Sequence, residues 1–120
     1  MPADWKLFGL IRPAKRLTLA EGRKILERDQ WRCQYCGLDG MASFENSLVM
    51  SVDFVVPRAK AGRKHLANLV AACRPCNLIK GHHVFKNLDE AKAFVLKRRA
   101  ELHTDWEGRM GKVRAKSATA

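Results

Sequence analysis

The pattern of apolar and polar residues along the chain predicts helices on both sides of two short strands. Thr18 and Glu21 stand at the spacing of a helix-capping box, which predicts a first helix over residues 19–30. Residues 48–56 and 66–72 are rich in β-branched and other apolar side chains, and each run predicts a strand. The length of the loop between the two runs favours an antiparallel hairpin.

Two further helices are predicted after the hairpin. Pro75 is well placed as the first residue of a short helix that ends near Gly81. Asn87 and Glu90 repeat the capping spacing and predict a longer helix that ends near Trp106. One side of that helix carries an apolar stripe that we expect to pack on the core, formed by Leu88, Ala91, Val95, Leu102 and Trp106.

The remaining segments predict irregular structure. Residues 1–16 mix aromatic and basic side chains and are interpreted as an N-terminal arm, whereas residues 37–47 contain two glycines and predict a loop. Residues 107–120 are mostly small or basic and predict a flexible tail. The sequence therefore predicts one domain over residues 17–106, with its core in residues 28–83.

All four cysteines lie in two C-x-x-C pairs, Cys33 with Cys36 and Cys73 with Cys76. This spacing lets a tight turn direct both thiolates at one ion, and two such turns complete a tetrahedral zinc site. Four cysteine ligands leave no open position, so this zinc is expected to be structural. Disulfides and free thiols are the alternatives, although an intracellular protein keeps most cysteines reduced.

The charge of the chain points to polyanionic partners. Its 120 residues carry a formal net charge of +11. Residues 54–88 contain no Asp or Glu and carry the basic side chains Arg58, Lys60, Arg63, Lys64, Arg74, Lys80 and Lys86. A solvated face or a membrane surface would also suit some of these cations, but so long an acid-free stretch favours nucleic-acid phosphates. No apolar run is long enough to span a membrane, and we expect a cytoplasmic protein.

Three stretches together resemble the HNH endonuclease family: CQYCG, VDFVVPRAKAG and NLVAACRPCNLIKG. The resemblance implies an α+β domain of the ββα-metal type, which holds one catalytic Mg²⁺ or Mn²⁺ in addition to structural zinc. It implies that Asp53 and Asn77 are ligands of the catalytic ion and that Asn68 braces the hairpin loop. The position after the aspartate normally carries the histidine that activates water, and in this chain it is Phe54.

Each of these residues also has a structural interpretation. Asp53 and Asn77 can bond nearby backbone groups at a strand end and a helix start. Strand alternation puts Val52, Phe54 and Val56 on one face, so Phe54 can be a core residue. His82 can replace the missing base only if the short helix continues past its expected end, and an exposed histidine beside phosphate is the alternative.

Two functions follow from these alternatives. The chain is a DNA endonuclease, attenuated because Phe54 cannot accept a proton, or it is a catalytically inactive zinc-stabilised module that binds nucleic acid. A positioned general base contributes about 10²–10⁴ in rate, so its loss lowers activity without removing the contribution of the metal. A protein-interaction domain is a third reading, disfavoured by the acid-free stretch. The sequence is compatible with RNA as well as DNA, and with either a monomer or a homodimer.

Overall fold

The computed structural model describes residues 17–56 and 65–119. The N-terminal arm predicted over residues 1–16 lies outside the described residues. The same holds for four of the predicted phosphate-binding residues in the hairpin loop, which are Arg58, Lys60, Arg63 and Lys64.

Helices flank one two-stranded sheet in the described part of the chain. The elements are α1 (Leu19–Arg28), α2 (Phe44–Leu48), β1 (Met50–Phe54), a 3-10 helix (Leu66–Asn68), β2 (Leu69–Cys73), α3 (Arg74–Lys80) and α4 (Leu88–Thr119). Strands β1 and β2 pair antiparallel, with Met50 opposite Cys73 and Phe54 opposite Leu69. A hairpin followed directly by a helix confirms the predicted α+β fold and is consistent with the ββα-metal type.

Helix α1 begins at the predicted capping box. The Thr18 hydroxyl accepts a hydrogen bond from the Glu21 N–H at 3.1 Å, and the Glu21 carboxylate accepts one from the Thr18 N–H at 2.9 Å. The helix ends at Arg28, earlier than predicted, because Gln30 and Trp31 adopt positive φ angles of 56° and 54°. This left-handed turn leads the chain into the first cysteine pair.

The last residue of α1 and the turn that follows it bind the outer edge of β2. The Arg28 guanidinium donates to the carbonyl oxygen of Leu69. The Asp29 carboxylate accepts a hydrogen bond from the Ala71 N–H at 2.8 Å. The Gln34 N–H donates to the Ala71 carbonyl oxygen at 2.9 Å. Together these bonds hold the first cysteine turn against the hairpin.

Part of the predicted loop over residues 37–47 is helical. The Ser43 hydroxyl accepts a hydrogen bond from the Asn46 N–H at 3.0 Å and caps the short helix α2. The capping residue was present in the sequence, but a five-residue helix has no apolar periodicity to reveal it.

Helix α4 differs from its prediction at the C-terminal end. It continues to Thr119, where the sequence predicts an end near Trp106 followed by a flexible tail. Ala, Lys, Arg and Glu favour helix, and pairs at i, i+4 spacing add support, such as His103 with Glu107 at 3.1 Å. Among the described helices, none combines the length and apolar character needed to cross a membrane.

The core lies between the hairpin and the start of α4. Ala91 and Val95 of α4 are both 0% exposed and pack in one cluster with Val70, Ala72 and Phe85. The C-terminal end of the predicted apolar stripe does not reach this core, since Trp106 is 43% exposed. The first two turns of α4 therefore hold its fully buried residues, and residues 103–119 are almost all exposed.

We expect Asp29→Ala to lower the free energy of unfolding by about 1–3 kcal/mol, because the fully buried Ala71 would lose the acceptor for its N–H. Urea denaturation followed by circular dichroism measures this loss. Asp105→Ala, on the exposed part of α4, is the control and should change stability by less than about 0.5 kcal/mol. Equal losses in the two variants would contradict the role given to Asp29.

Candidate functional site

The four cysteines meet at the junction of three elements. Cys33 and Cys36 lie in the turn after α1, Cys73 ends β2, and Cys76 lies in the first turn of α3. Their Sγ atoms all lie within 4.8 Å of one another, so the two pairs form one cluster. The hairpin brings the pairs together, because β2 runs directly from the hairpin loop into the second pair.

The geometry of this cluster fits a tetrahedral metal ion. Zinc–sulfur bonds of about 2.3 Å in a tetrahedron place the sulfurs about 3.8 Å apart. The Sγ atoms of Cys36 and Cys73 are 3.7 Å apart, far longer than a disulfide bond, and all four cysteines are free. The Cys36 N–H also points at the Cys33 sulfur at 3.4 Å. The cluster can therefore hold a metal ion, as the spacing predicts.

The electrostatics of the thiols also favour a cation in the cluster. A hydrogen bond with Cys76 lowers the pKa of Cys33 to about 4. Burial raises the pKa of Cys73 to about 11, and the pKa of Cys76 is raised chiefly by its hydrogen bond with Cys33. The first thiolate thus suppresses ionisation of its neighbours, an effect that a bound dication would reverse.

Arg99 brings a positive charge to the cluster from α4. Its guanidinium Nη1 lies 3.6 Å from the Sγ of Cys76. An arginine in this position offsets part of the negative charge that four thiolates would leave on a dication. It also ties the third turn of α4 to the cysteine turns.

A buried network of three polar side chains lies on the other side of the first cysteine turn. The Tyr35 hydroxyl donates to Asp53 Oδ2, and the Lys80 Nζ lies 3.3 Å from the same oxygen. Lys80 also donates to the carbonyl oxygen of Phe54 at 2.9 Å. The three side chains are nearly inaccessible: Tyr35 is 1% exposed, Asp53 5% and Lys80 1%. The network joins the cysteine turn, β1 and α3.

Strand alternation explains why Asp53 is buried. Asp53 and Val55 point to the covered face of β1, whereas Phe54 lies on the other face and is only half-buried. Phe54 lies outside the core cluster formed by the described residues. Burial raises the pKa of Asp53, and this effect is opposed by the hydrogen bond from Tyr35 and the charge of Lys80.

This network changes the expectations for two residues. Lys80 was predicted to contact phosphate, but its ammonium group is enclosed beneath α3 and paired with Asp53. A divalent ion at Asp53 Oδ2 would compete with that ammonium group and with the Tyr35 hydroxyl. The carboxylate thus already has a cation beside it.

An open pocket of about 540 Å³ lies between β1 and α3. It is lined by Ser51, Arg74, Asn77, Leu78, Gly81 and His82. The pocket brings together Arg74, Asn77 and His82, three residues selected from the sequence. Asp53 and Phe54 are not part of this lining. The predicted catalytic residues are therefore divided between an enclosed network and an open pocket.

Asn68 and Lys86, also selected from the sequence, lie outside both the buried network and the pocket lining. The Asn68 side chain forms two hydrogen bonds with Val56, accepting from its N–H at 2.8 Å and donating to its carbonyl oxygen at 3.2 Å. This closes the hairpin at the start of its loop. Lys86 is exposed just before α4.

Sequence reasoning did not select Tyr35 or Arg99. Tyr35 stands between the ligands of the first cysteine pair, and a residue there can be buried or solvent-facing. Arg99 follows the buried Ala91 and Val95 at i+8 and i+4, on the same side of α4. This spacing could have indicated that Arg99 faces the core.

Lys80→Met should destabilise the domain by about 3–5 kcal/mol, because it leaves the buried Asp53 carboxylate without its cation. Tyr35→Phe should cost less, about 1–3 kcal/mol, since it removes one hydrogen bond. Urea denaturation of both single variants and of the double variant measures the coupling. Additive losses would show that the two side chains do not act through Asp53.

Removing a metal ion bound by the four cysteines should unfold the region around the hairpin, because the cluster joins the turn after α1 to β2 and α3. Treatment with a strong chelator, followed by circular dichroism and limited proteolysis, measures the loss. Adding Zn²⁺ back should restore both signals. Unchanged protease resistance in the metal-free protein, verified by metal analysis, would contradict this expectation.

One comparison with known proteins agrees with this geometry. A family model described as HNH endonuclease matches residues 33–92, which include both cysteine pairs, the hairpin and α3. No curated protein and no solved structure matches the chain. The match spans half of the chain and includes the four cysteines, the Tyr35–Asp53–Lys80 network and the residues that line the pocket, whereas Arg99 lies beyond its end. This chain therefore belongs to the HNH endonuclease family.

Proposed function

We propose that this protein is a metal-dependent endonuclease that nicks DNA, with an activity attenuated by Phe54. The observation that carries the proposal is the pocket between β1 and α3, where Arg74, Asn77 and His82 meet in a member of the HNH family. We further propose that zinc is the ion of the cysteine cluster, since four thiolates in a tetrahedral arrangement suit it well.

The side chains of the pocket are of the kinds that phosphodiester hydrolysis needs. Arg74 is exposed and can hold phosphate oxygens through its guanidinium. Asn77 offers an amide oxygen, a ligand type that Mg²⁺ and Mn²⁺ accept. The short helix ends at Lys80 as expected, but exposed His82 still lines the pocket, where an imidazole can accept a proton from water. When bound, the divalent ion supplies charge stabilisation at the phosphate and lowers the pKa of a coordinated water.

Two features support the attenuation. Phe54 stands where the family has its general base, and a phenyl ring accepts no proton. Asp53, the acidic ligand implied by the family, is paired with Lys80 at 3.3 Å and is 5% exposed. A catalytic ion would therefore bind more weakly than at an open carboxylate.

The charge distribution supports DNA as the substrate. The acid-free residues 54–88 include Arg74 in the pocket and Lys86 beside α4. Contacts of this kind go to phosphate oxygens, so binding should depend strongly on salt and little on sequence. The same surface chemistry also suits RNA, and a nuclease assay with both substrates separates the two.

A catalytically inactive module that binds nucleic acid is the second candidate. The specific observation in its favour is the Lys80–Asp53 pair, because the ammonium group already neutralises the carboxylate. In this reading Asp53 keeps a structural role, and the pocket contacts phosphate without cleaving it.

Phe54→His should raise the nicking rate by up to about 10²–10⁴-fold, because it restores a histidine at the position where the family has its general base. Conversion of supercoiled plasmid to open circles with Mg²⁺ or Mn²⁺ measures the rate. Phe54→Leu is the matched control, since it changes the same half-buried position without adding a base. Asn77→Ala, purified identically, reports any contaminating nuclease.

The outcomes separate the two candidates. A rise in Phe54→His alone, lost again when combined with Asn77→Ala, supports the nuclease. An equal rise in Phe54→Leu would contradict the assignment of a missing base. Failure of every variant to nick, while plasmid is still retarded in a gel, would favour the binding module.

A further inference from the structure

We propose that the last three turns of α4 form a second nucleic-acid contact, which binds the phosphate backbone of duplex DNA. This inference rests on the proposed function for its ligand, and it concerns a part of the chain that the family match does not reach. That match ends at residue 92, whereas α4 continues to Thr119.

The C-terminal part of α4 stands clear of the core. Its last fully buried residue is Val95, and between residues 103 and 119 Met110 alone is half-buried while the rest are exposed. At about 1.5 Å per residue, the portion after Trp106 extends the helix by about 20 Å. A Cβ added at Gly108 or Gly111 would meet nothing within 4 Å, which confirms the open surroundings.

The charges along α4 fall into two groups. Between residues 97 and 107 each carboxylate lies near a basic side chain: Glu101 is 3.1 Å from Arg98, Glu107 is 3.1 Å from the imidazole of His103, and Asp105 is 3.9 Å from Arg109 of the second group. Residues 108–120 contain no Asp or Glu and carry Arg109, Lys112, Arg114 and Lys116. Within the described ranges, Lys112, Arg114 and Lys116 form no ion pair with a carboxylate.

The spacing of these cations suits an extended row of phosphates. Arg109, Lys112 and Lys116 follow one another at i, i+3 and i+7, which places them on one side of the helix. Arg114 lies 5.9 Å from the centre of the Trp106 ring, so it is held close to the helix surface. The row is about 10 Å long and can contact several successive phosphates.

A duplex is the occupant that these features favour. A helix that is polar on all sides and contains two glycines gains little from its own packing, so a partner of opposite charge is the natural source of further stability. An anionic membrane would also attract the cations, but an interfacial helix needs a continuous apolar face. Here Met110 and Val113 are the only large apolar residues after Trp106.

Fluorescence anisotropy with a labelled duplex of about 30 base pairs tests the proposal, using the zinc-loaded full chain without Mg²⁺ or Mn²⁺. Each phosphate contact contributes about 0.9 to the slope of log Kobs against log salt. The slope is negative, so Lys112→Gln/Lys116→Gln should make it less steep by about 1.8. Lys92→Gln/Lys97→Gln removes the same charge from the start of α4 and is the matched control, with an unchanged slope. Circular dichroism verifies that both variants keep their helix.

Three results would overturn the proposal. Equal effects in the two double variants would reveal a general charge effect, and an unchanged slope in Lys112→Gln/Lys116→Gln would show that this helix end makes no contact. Binding of the native chain to phosphatidylserine vesicles that depends on Lys112 and Lys116, with duplex binding unaffected, would assign the surface to a membrane. Nicking is measured in a separate assay. An unchanged salt slope therefore does not contradict the proposed nuclease, and an absence of nicking does not prevent the binding measurement.

Discussion

The buried pair of Lys80 and Asp53 is the interaction on which the arrangement of this domain depends. It connects α3 to β1, and through the Tyr35 hydroxyl it reaches the turn that carries the first two cysteines. Neither charge would be tolerable alone at this depth, because an unpaired buried ion costs several kcal/mol. The hairpin, α3 and the cysteine turn must therefore assemble together, and a metal in the cysteine cluster would reinforce the same three elements.

If Asp53 also holds the catalytic ion of the proposed nuclease, folding and catalysis compete for one carboxylate. A divalent ion bound to Asp53 Oδ2 would compete with the Lys80 ammonium group for this oxygen. Lys80 is part of the chain and is always present, whereas the ion must bind from solution. The open pocket with Arg74, Asn77 and His82 lies on the accessible side of α3. The side chains proposed to contact phosphate and metal thus line an open pocket, while Asp53 is paired with Lys80 in the interior.

Local patterns predicted much of this fold. The cap of α1, the hairpin and the cysteine cluster each depend on residues close together in sequence or on a fixed ligand spacing. Alternation correctly placed Asp53 and Val55 on the same face of β1, but a period of two does not say which face a later helix covers. Periodicity also gives no information on the partner of Asp53, because Lys80 lies 27 residues further along the chain. The extent of α4 was also missed, since exposed positions carry no apolar pattern.

The contacts at the outer edge of β2 bear on how copies of this protein behave at high concentration. A two-stranded sheet normally presents unpaired backbone groups on which the strand of another molecule can form. Here Arg28 binds the carbonyl oxygen of Leu69, while Asp29 and Gln34 bind both backbone groups of Ala71. That edge is therefore closed to intermolecular strand addition, and the side chains that join α1 to the hairpin also protect the folded protein from aggregation through β2.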